Sequence, residues 1–271
     1  MEMASAEQQS LLQRFVEACQ GDLRIVAAFL GGSFAGGTAD EHSDLDIYLV
    51  IADDAYDNFF AERSSFMHRL GRPVFLEDFN TFGFEMVIFT FADGVEGELA
   101  LAPESHFEHI HGGAYKALVD KKGVLEGKVF PLLTPTEEQQ IQTLRHLIYW
   151  FWEDLSHFIT GLNRGQLWLA YSYIEQTRRK CVNLAHLLHD FTAEPGGYAK
   201  VEKEVPEAQL LALESTFCPL ARHSMLQAAE TIVSVYKEIA PPLADEHLTG
   251  AQNDRDYNVF TNHVFLEVRG V

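Results

Sequence analysis

Residues 31–48 read GGSFAGGTADEHSDLDIY, a glycine-rich turn followed by a strand that carries two aspartates. Glycine lets the backbone approach a ligand closely, and the successive N–H groups of such a turn form a cradle for an anion. Residues two apart on a strand point to the same face, so Asp44 and Asp46 project together. Two adjacent carboxylates repel, and a divalent cation such as Mg²⁺ resolves the conflict. The segment predicts a magnesium-nucleotide site with Gly32, Ser33 and both aspartates.

The spacing of this segment excludes two other nucleotide-binding motifs. A P-loop would need Gly-Lys-Ser or Gly-Lys-Thr after the turn, and the strand opens no Gly-x-Gly-x-x-Gly dinucleotide turn. The alternative for Asp44 and Asp46 is an edge strand with two solvated carboxylates. The Gly32-Ser33 turn at this distance argues against that alternative.

The flanking residues predict a mixed α/β unit over residues 1–133. Ser5 and Gln8 form a capping-box pattern at the start of a helix, and compact apolar runs bounded by turn residues predict strands. Strands are expected at residues 23–30, 44–52, 73–79, 84–92 and 97–102, and helices at residues 5–20 and 53–70. The first unit is therefore expected to be a mixed sheet with helices.

The pattern changes after Pro131 and Pro135, and residues 134–271 are expected to form an all-α helical bundle. Apolar positions there recur at helical spacing with almost no strand signal. Helices are expected at residues 136–163, 165–191, 206–217, 220–239 and 256–269. Breaks are expected at residues 194–197 and at Pro241-Pro242, because glycine and proline interrupt helices.

The composition limits the classes of partner. The chain has 40 acidic and 20 basic residues, a net charge of −20. Such a surface repels a phosphate backbone, so no nucleic-acid partner is expected, and it attracts small cationic molecules. No apolar run approaches the roughly 20 residues that span a bilayer. Residues 1–10 carry no signal-peptide pattern, and three widely spaced cysteines predict reduced thiols. We therefore expect a cytoplasmic protein without a membrane partner.

The Gly32-Ser33 turn followed by Asp44-Leu45-Asp46 resembles the signature of the polymerase-beta-like nucleotidyltransferase superfamily. Residues 84–89 and 97–101 are further similar to the antibiotic nucleotidyltransferases that modify lincosamides and aminoglycosides. The resemblance implies a Mg²⁺-dependent enzyme that binds an NTP, with ATP expected, against Gly32 and Ser33. Asp44 and Asp46 would hold the metal while a nucleoside monophosphate moves to a hydroxyl of a small molecule and pyrophosphate leaves. A homodimer is a further expectation from this resemblance.

The implied chemistry needs a third carboxylate, and the sequence offers two. Glu85 and Glu98 each lie on an otherwise apolar predicted strand, where an unpaired carboxylate is costly. Glu85 matches the position of the base in aminoglycoside-type enzymes, and Glu98 matches the position indicated by lincosamide-type enzymes. The third carboxylate would complete the metal site, for which Glu98 is the expected ligand, or accept the proton of the acceptor hydroxyl. The sequence leaves the choice of base open.

A basic run, Arg178-Arg179-Lys180, lies within a predicted helix of this acidic chain. One interpretation places Arg179 and Lys180 against the triphosphate, where their charge would offset that of the phosphates. The alternative is a helix surface that pairs with Glu175.

Two other function classes remain open from the sequence. The first is a regulatory module that binds a nucleotide without transferring it. The second is a metal-dependent hydrolase that uses the histidines at positions 106, 109 and 111 or the pair His186 and His189. Neither histidine grouping has the companion ligands of a known zinc pattern, and twelve histidines make chance clusters expected.

Overall fold

The structure is a computed structural model that describes residues 5–80, 83–132, 134–192 and 194–248. These residues divide into two compact units on either side of residue 133. The first unit combines a mixed sheet with helices, and the regular structure described in the second is all helix, which confirms the predicted fold class. The helix predicted at residues 256–269 lies outside the described residues. Within the described ranges, no helix is long and apolar enough to cross a membrane.

The first unit is built on a six-stranded mixed sheet. Its elements are α1 (Ala6–Gly21), β1 (Ile25–Leu30), α2 (Gly32–Gly36), β2 (Leu45–Ile51), α3 (Tyr56–Ala61), α4 (Arg63–Leu70), β3 (Pro73–Phe79), β4 (Glu85–Phe91), β5 (Glu96–Pro103) and β6 (Lys116–Asp120). The strand order is β3-β4-β5-β2-β1-β6. Strands β2 and β5 are parallel, and the other neighbouring pairs are antiparallel.

One face of this sheet is covered by helices α1 and α4. Leu11 and Phe15 of α1 are buried in the same apolar core as Phe66 and Leu70 of α4 and alternate residues of the strands. Burying a side chain of this size contributes about 1.5–3 kcal/mol, so the amphipathic α1 is held by packing on its own sheet.

The start of α1 is also tied to the segment that precedes β2. Ser5 and Gln8 form the predicted capping box. The Gln8 side-chain amide donates a hydrogen bond to the Ser43 carbonyl at 2.6 Å. This contact holds the backbone immediately before Asp44.

Aromatic side chains line the opposite face of the sheet. Phe29 of β1 stacks on Tyr48 of β2 with ring centroids 4.7 Å apart. Phe130 stacks on Phe29 at 5.3 Å, and His111 contacts all three rings edge-on. The chain after β5 therefore covers the β1 and β2 side of this face with a rigid aromatic layer.

The described part of the second unit contains five helices. They are α5 (Glu137–Asn163), α6 (Leu167–His189), α7 (Val201–Glu204), α8 (Glu207–Glu214) and α9 (Arg222–His247). Helices α5, α6 and α9 supply most of one apolar core, which includes Phe151, Ile174 and Ile232. A capping box at Thr136 and Gln139 begins α5.

The predicted helix break at Pro241-Pro242 is wrong, because α9 continues through both prolines to His247. Proline in a helix interior costs about 3 kcal/mol through the lost hydrogen bond and a steric clash. Ile239, Ala240, Leu243 and Ala244 are buried on either side of the prolines, and their packing offsets that cost. Tertiary burial overrides the local signal here.

Two further differences concern the first unit. The helix predicted at residues 53–70 is divided into a 3₁₀ turn at Asp53–Ala55 followed by α3 and α4, which meet at Glu62. Strand β6 has no counterpart in the prediction. Its five residues show little alternation, and it becomes a strand because it pairs with β1.

Candidate active site

Strand register brings Asp44, Asp46 and Glu98 together. In the parallel pair of β2 and β5, Asp46 lies opposite Glu98, and directly opposed residues share a face of the sheet. Asp44 immediately precedes β2 and continues the same alternation. These three carboxylates, which we call the acidic triad, therefore lie at one end of the face that carries the aromatic layer.

The acidic triad holds uncompensated negative charge. Burial, followed by the charges of Asp44 and Glu98, raises the pKa of Asp46 to about 6. Burial and the charge of Asp44 also raise the pKa of Glu98. Among the described residues, no side chain donates a hydrogen bond to the Asp46 or Glu98 carboxylates, and no cation pairs with them. A bound cation would remove this repulsion.

The glycine-rich turn lies against Asp46. The Gly31 amide donates to the Asp46 carbonyl at 2.9 Å. Gly32 has a φ of +51°, and a Cβ there would lie 1.8 Å from Asp46 Oδ2, so no larger residue fits. The Ser33 hydroxyl is buried and has no hydrogen-bond partner within the described chain. Because an unsatisfied buried hydroxyl costs about 1–3 kcal/mol, this atom is suited to a ligand.

Glu85 is not part of the acidic triad. It pairs with Leu101 in the antiparallel β4 and β5, whereas Glu98 pairs with Ile88, three residues further along β4. An odd offset places the two glutamates on opposite faces of the sheet. The charge of Glu85 acts instead on Tyr56, whose pKa is raised by burial and then by Glu85. The structure therefore groups Glu98, and not Glu85, with the two aspartates.

The triad fits a magnesium ion that has additional ligands. Among the described residues, no three acidic, histidine or cysteine side chains enclose a metal site by themselves. Mg²⁺ is commonly bound by one or two carboxylates and completes its octahedron with water and substrate phosphate oxygens. The hard carboxylate donors, their mutual repulsion and the adjacent Ser33 hydroxyl match that chemistry.

The basic run of helix α6 makes structural contacts. Arg178 is completely buried, its guanidinium donates to the side chain and the carbonyl of Thr216 at 2.7 and 2.9 Å, and it pairs with Glu175. The predicted pairing with Glu175 is thus confirmed for Arg178, but the arginine lies in the core and not on the predicted helix surface. Lys180 forms an ion pair with the largely buried Asp154. Arg179 is exposed.

Two members of the histidine groupings, His111 and His186, make packing and hydrogen-bond contacts. His186 is buried between the Gly197 carbonyl, 3.1 Å from Nε2, and the Glu204 carboxylate, 3.0 Å from Nδ1. His111 contacts the Ala114 carbonyl through Nε2 at 3.0 Å and belongs to the aromatic layer. These contacts give the hydrolase alternative no support.

A cleft beside the triad was missed by the sequence analysis. Its volume is about 120 Å³, and its lining includes Asp46, Tyr48, Phe84, Met86 and Glu98. The available signal was the i, i+2 spacing of Asp46 and Tyr48, which places both side chains on one face. We call this feature the tyrosine cleft.

A second depression, of about 430 Å³, contains Phe84, Glu85, His106 and His109 in its lining. Phe84 therefore lines both features, and Glu85 lies in the second one.

Comparison with known proteins places this site in a family. A search of curated proteins finds no match. Among solved structures, the chain is similar to an aminoglycoside 6-adenyltransferase from Bacillus subtilis, with 16% identity, coverage of 97% of this chain and 99% of that chain, and a TM-score of 0.42. It is also similar to a nucleotidyltransferase-like protein from Exiguobacterium sibiricum, with 10% identity, coverage of 98% and 92%, and a TM-score of 0.34.

The decisive comparison is with a family model. The model for streptomycin adenylyltransferase matches residues 5–264, which include the glycine-rich turn, the acidic triad and nearly all of the helical unit. The chain therefore belongs to the streptomycin adenylyltransferase family and is a nucleotidyltransferase.

Proposed function

We propose that this enzyme transfers AMP from Mg²⁺-bound ATP to a hydroxyl of a streptomycin-type aminoglycoside and releases pyrophosphate. The observation that supports it best is the acidic triad, in which Asp46 and Glu98 have no cationic partner among the described residues, beside a turn whose buried Ser33 hydroxyl no described residue bonds. The name of the family supports an adenylyl donor and this class of acceptor. Aminoglycosides are cationic, so the net charge of −20 favours their approach.

Asp44 and Asp46 are the proposed metal ligands, with Glu98 as the third, and Gly32 and Ser33 are the proposed contacts of the triphosphate. Mg²⁺, when bound, offsets the charge of the triphosphate and of the departing pyrophosphate. The Ser33 hydroxyl gains a phosphate oxygen as its missing partner. Gly32 keeps the backbone close enough to Asp46 for one ligand to touch both.

Glu98 is the proposed general base. Its carboxylate accepts the proton of the acceptor hydroxyl as that oxygen attacks the α-phosphorus. The bond from the α-phosphorus to the oxygen that joins it to the β-phosphorus breaks, and its electron pair leaves on that oxygen with pyrophosphate. The position of Glu98 opposite Asp46 in the β2–β5 pair, beside the proposed metal ligands, supports this role. Positioning and charge neutralisation supply the rest of the rate enhancement.

Arg179 and Lys180 are the other proposed contacts of the triphosphate. They differ in whether the side chain already has an ion-pair partner. Arg179 is exposed and has its charge available. Lys180 would exchange its carboxylate partner, Asp154, for a phosphate oxygen. We assign no such role to the buried Arg178.

The test is calorimetric titration of ATP and GTP, with and without Mg²⁺, into wild type and Asp46→Asn, followed by pyrophosphate release with streptomycin. We expect Mg²⁺-dependent ATP binding that Asp46→Asn weakens at least about tenfold, together with pyrophosphate release that requires streptomycin. Glu77→Gln, which changes an exposed carboxylate of β3, is the matched control and should bind ATP like wild type. Binding of ATP without turnover on any aminoglycoside would favour the regulatory alternative.

A further inference from the structure

The tyrosine cleft follows from the register of three adjacent strands. Asp46, Glu98 and Ile88 form one row across β2, β5 and β4, and Tyr48, Ala100 and Met86 form a row two residues further along. Ala100 is the small central member of that second row, so a hollow opens between the larger side chains of Tyr48 and Met86. The hollow adjoins the row that carries Asp46 and Glu98.

The ring of Tyr48 is fixed on several sides. It stacks on Phe29 with the planes 3° apart and meets the edge of His111 at 4.7 Å between centroids. A Cβ on Gly31 would lie 2.8 Å from this ring, so the glycine turn also packs against it. The position of the phenol is therefore set before any ligand binds.

Within the described ranges, the hydroxyl of Tyr48 lacks the backbone partner that Tyr115 and Tyr236 have. The Tyr115 hydroxyl, in the same aromatic layer, donates to the Leu125 carbonyl at 2.6 Å. The Tyr236 hydroxyl donates to the Ile148 carbonyl at 3.1 Å. No residue within the described ranges forms a hydrogen bond with the Tyr48 hydroxyl, although its side chain is half-buried. A preorganised donor beside the proposed base is thus left for a ligand.

We propose that Tyr48 binds the acceptor, donating a hydrogen bond to an oxygen of the ring that carries the attacking hydroxyl. This inference rests on the proposed function. A cleft of about 120 Å³ is well below the roughly 300–1,000 Å³ of pockets for whole drug-sized ligands, so its proposed occupant is one polyhydroxylated ring and not a whole aminoglycoside. Met86 supplies an apolar wall for the ring, and Glu98 lies at the end of the cleft where the attacking hydroxyl must be. Specificity for hydroxyl placement on that ring then depends on Tyr48.

The test is steady-state pyrophosphate release by wild type, Tyr48→Phe and Tyr115→Phe with Mg²⁺, ATP and streptomycin. Tyr48→Phe keeps the stacked ring and removes only the donor. We expect the KM for streptomycin to rise about 3–10-fold, the amount that one neutral hydrogen bond supports, with kcat changed less than about threefold. The KM for ATP should stay at the wild-type value. Tyr115→Phe, which removes a phenol outside the cleft, should leave both KM values unchanged.

A second variant tests the cleft itself. Ala100→Val adds two methyl groups between Tyr48 and Met86 and should raise the KM for streptomycin without changing the affinity for Mg²⁺-ATP. An unchanged streptomycin KM in Tyr48→Phe, or an equal rise in Tyr115→Phe, would overturn the inference while leaving the proposed function in place. Absence of streptomycin-dependent pyrophosphate release by wild type would instead reject the proposed acceptor, and this inference with it.

Discussion

The acidic triad of the first unit and helix α6 of the second differ in whether their charged side chains have partners of opposite charge. On α6, Arg178 has Glu175 and Thr216 as partners, and Lys180 has Asp154. In the triad, Asp46 and Glu98 are partly buried with no compensating cation among the described residues, and their pKa values are raised. A buried charge with a full set of partners is compensated for its desolvation, whereas uncompensated carboxylates destabilise a fold and indicate a ligand.

The same contrast holds within the first unit. Arg24 pairs with Asp22 and Glu62, and Arg63 pairs with Asp78, all outside the site. Cations are therefore available to the unit, but none lies at the triad in its described part.

The largest expected effect separates the two glutamates. Glu98→Gln should lower kcat for pyrophosphate release by about 10²–10⁴-fold, because the proposed base is lost while the shape is kept. Glu85→Gln is the matched control on the opposite face of the sheet, and its kcat should stay within about threefold of wild type. Rates of pyrophosphate release at saturating ATP and streptomycin give kcat for both variants and identify which glutamate acts as the base. A larger loss in Glu85→Gln would contradict the assignment made from strand register.

The next effect concerns the paired charges of α6. Arg178→Met should lower the free energy of unfolding by about 2–4 kcal/mol, since it leaves Glu175 and Thr216 without their partner. Arg179→Met changes an exposed neighbour and should shift it by no more than about 0.5 kcal/mol. Urea unfolding measures both. If Arg178→Met kept wild-type stability and lost affinity for ATP, our assignment of a structural role to this arginine would be wrong.

The placement of the two glutamates also shows what the sequence could and could not predict. Alternation within β2 predicts that Asp44 and Asp46 share a face, and this depends on one strand only. Whether Glu98 joins them depends on the register between β2 and β5, and whether Glu85 does depends on the register between β4 and β5, which the turn at Asp93-Gly94 sets. Moving the β4–β5 register by one residue would turn Glu85 to the face of the triad and leave Glu98 opposite Asp46, because successive side chains alternate between faces.

Partners distant in sequence were beyond prediction for the same reason. The spacing within α6 indicated Glu175 as a partner for the basic run, since residues three apart on a helix are neighbours. Lys180 instead finds Asp154 on α5, 26 residues earlier in the chain. Only the packing of α5 against α6 brings those two charges together. The continuation of α9 through Pro241 likewise depends on the burial of its neighbours, which the local sequence does not show.

A third comparison uses two glycines of the turn. Gly32→Ala should weaken binding of Mg²⁺-ATP at least about tenfold, because the new Cβ would displace the Asp46 carboxylate. Gly37 also has a positive φ, +73°, but a Cβ there meets nothing within 4 Å. Gly37→Ala should therefore keep wild-type affinity and lose only about 1–2 kcal/mol of stability to backbone strain. Equal losses of affinity in both variants would show that turn conformation, and not the contact with Asp46, matters.

The smallest effect tests the destabilising charge itself. Because the pKa of Asp46 is raised in the folded state, its ionisation opposes folding, and the penalty grows as the pH rises from about 4 through about 6. Asp46→Asn should therefore stabilise the metal-free protein by about 1–2 kcal/mol at pH 8, after discounting for solvent screening, and by almost nothing at pH 4. Urea unfolding at the two pH values measures the difference.

Glu77→Gln, at an exposed position of β3, is the control and should show no such dependence on pH. Millimolar Mg²⁺ should narrow the gap at pH 8, since a bound cation compensates the wild-type carboxylate. An Asp46→Asn variant that is less stable than wild type at pH 8 would show that this carboxylate is compensated in the folded protein.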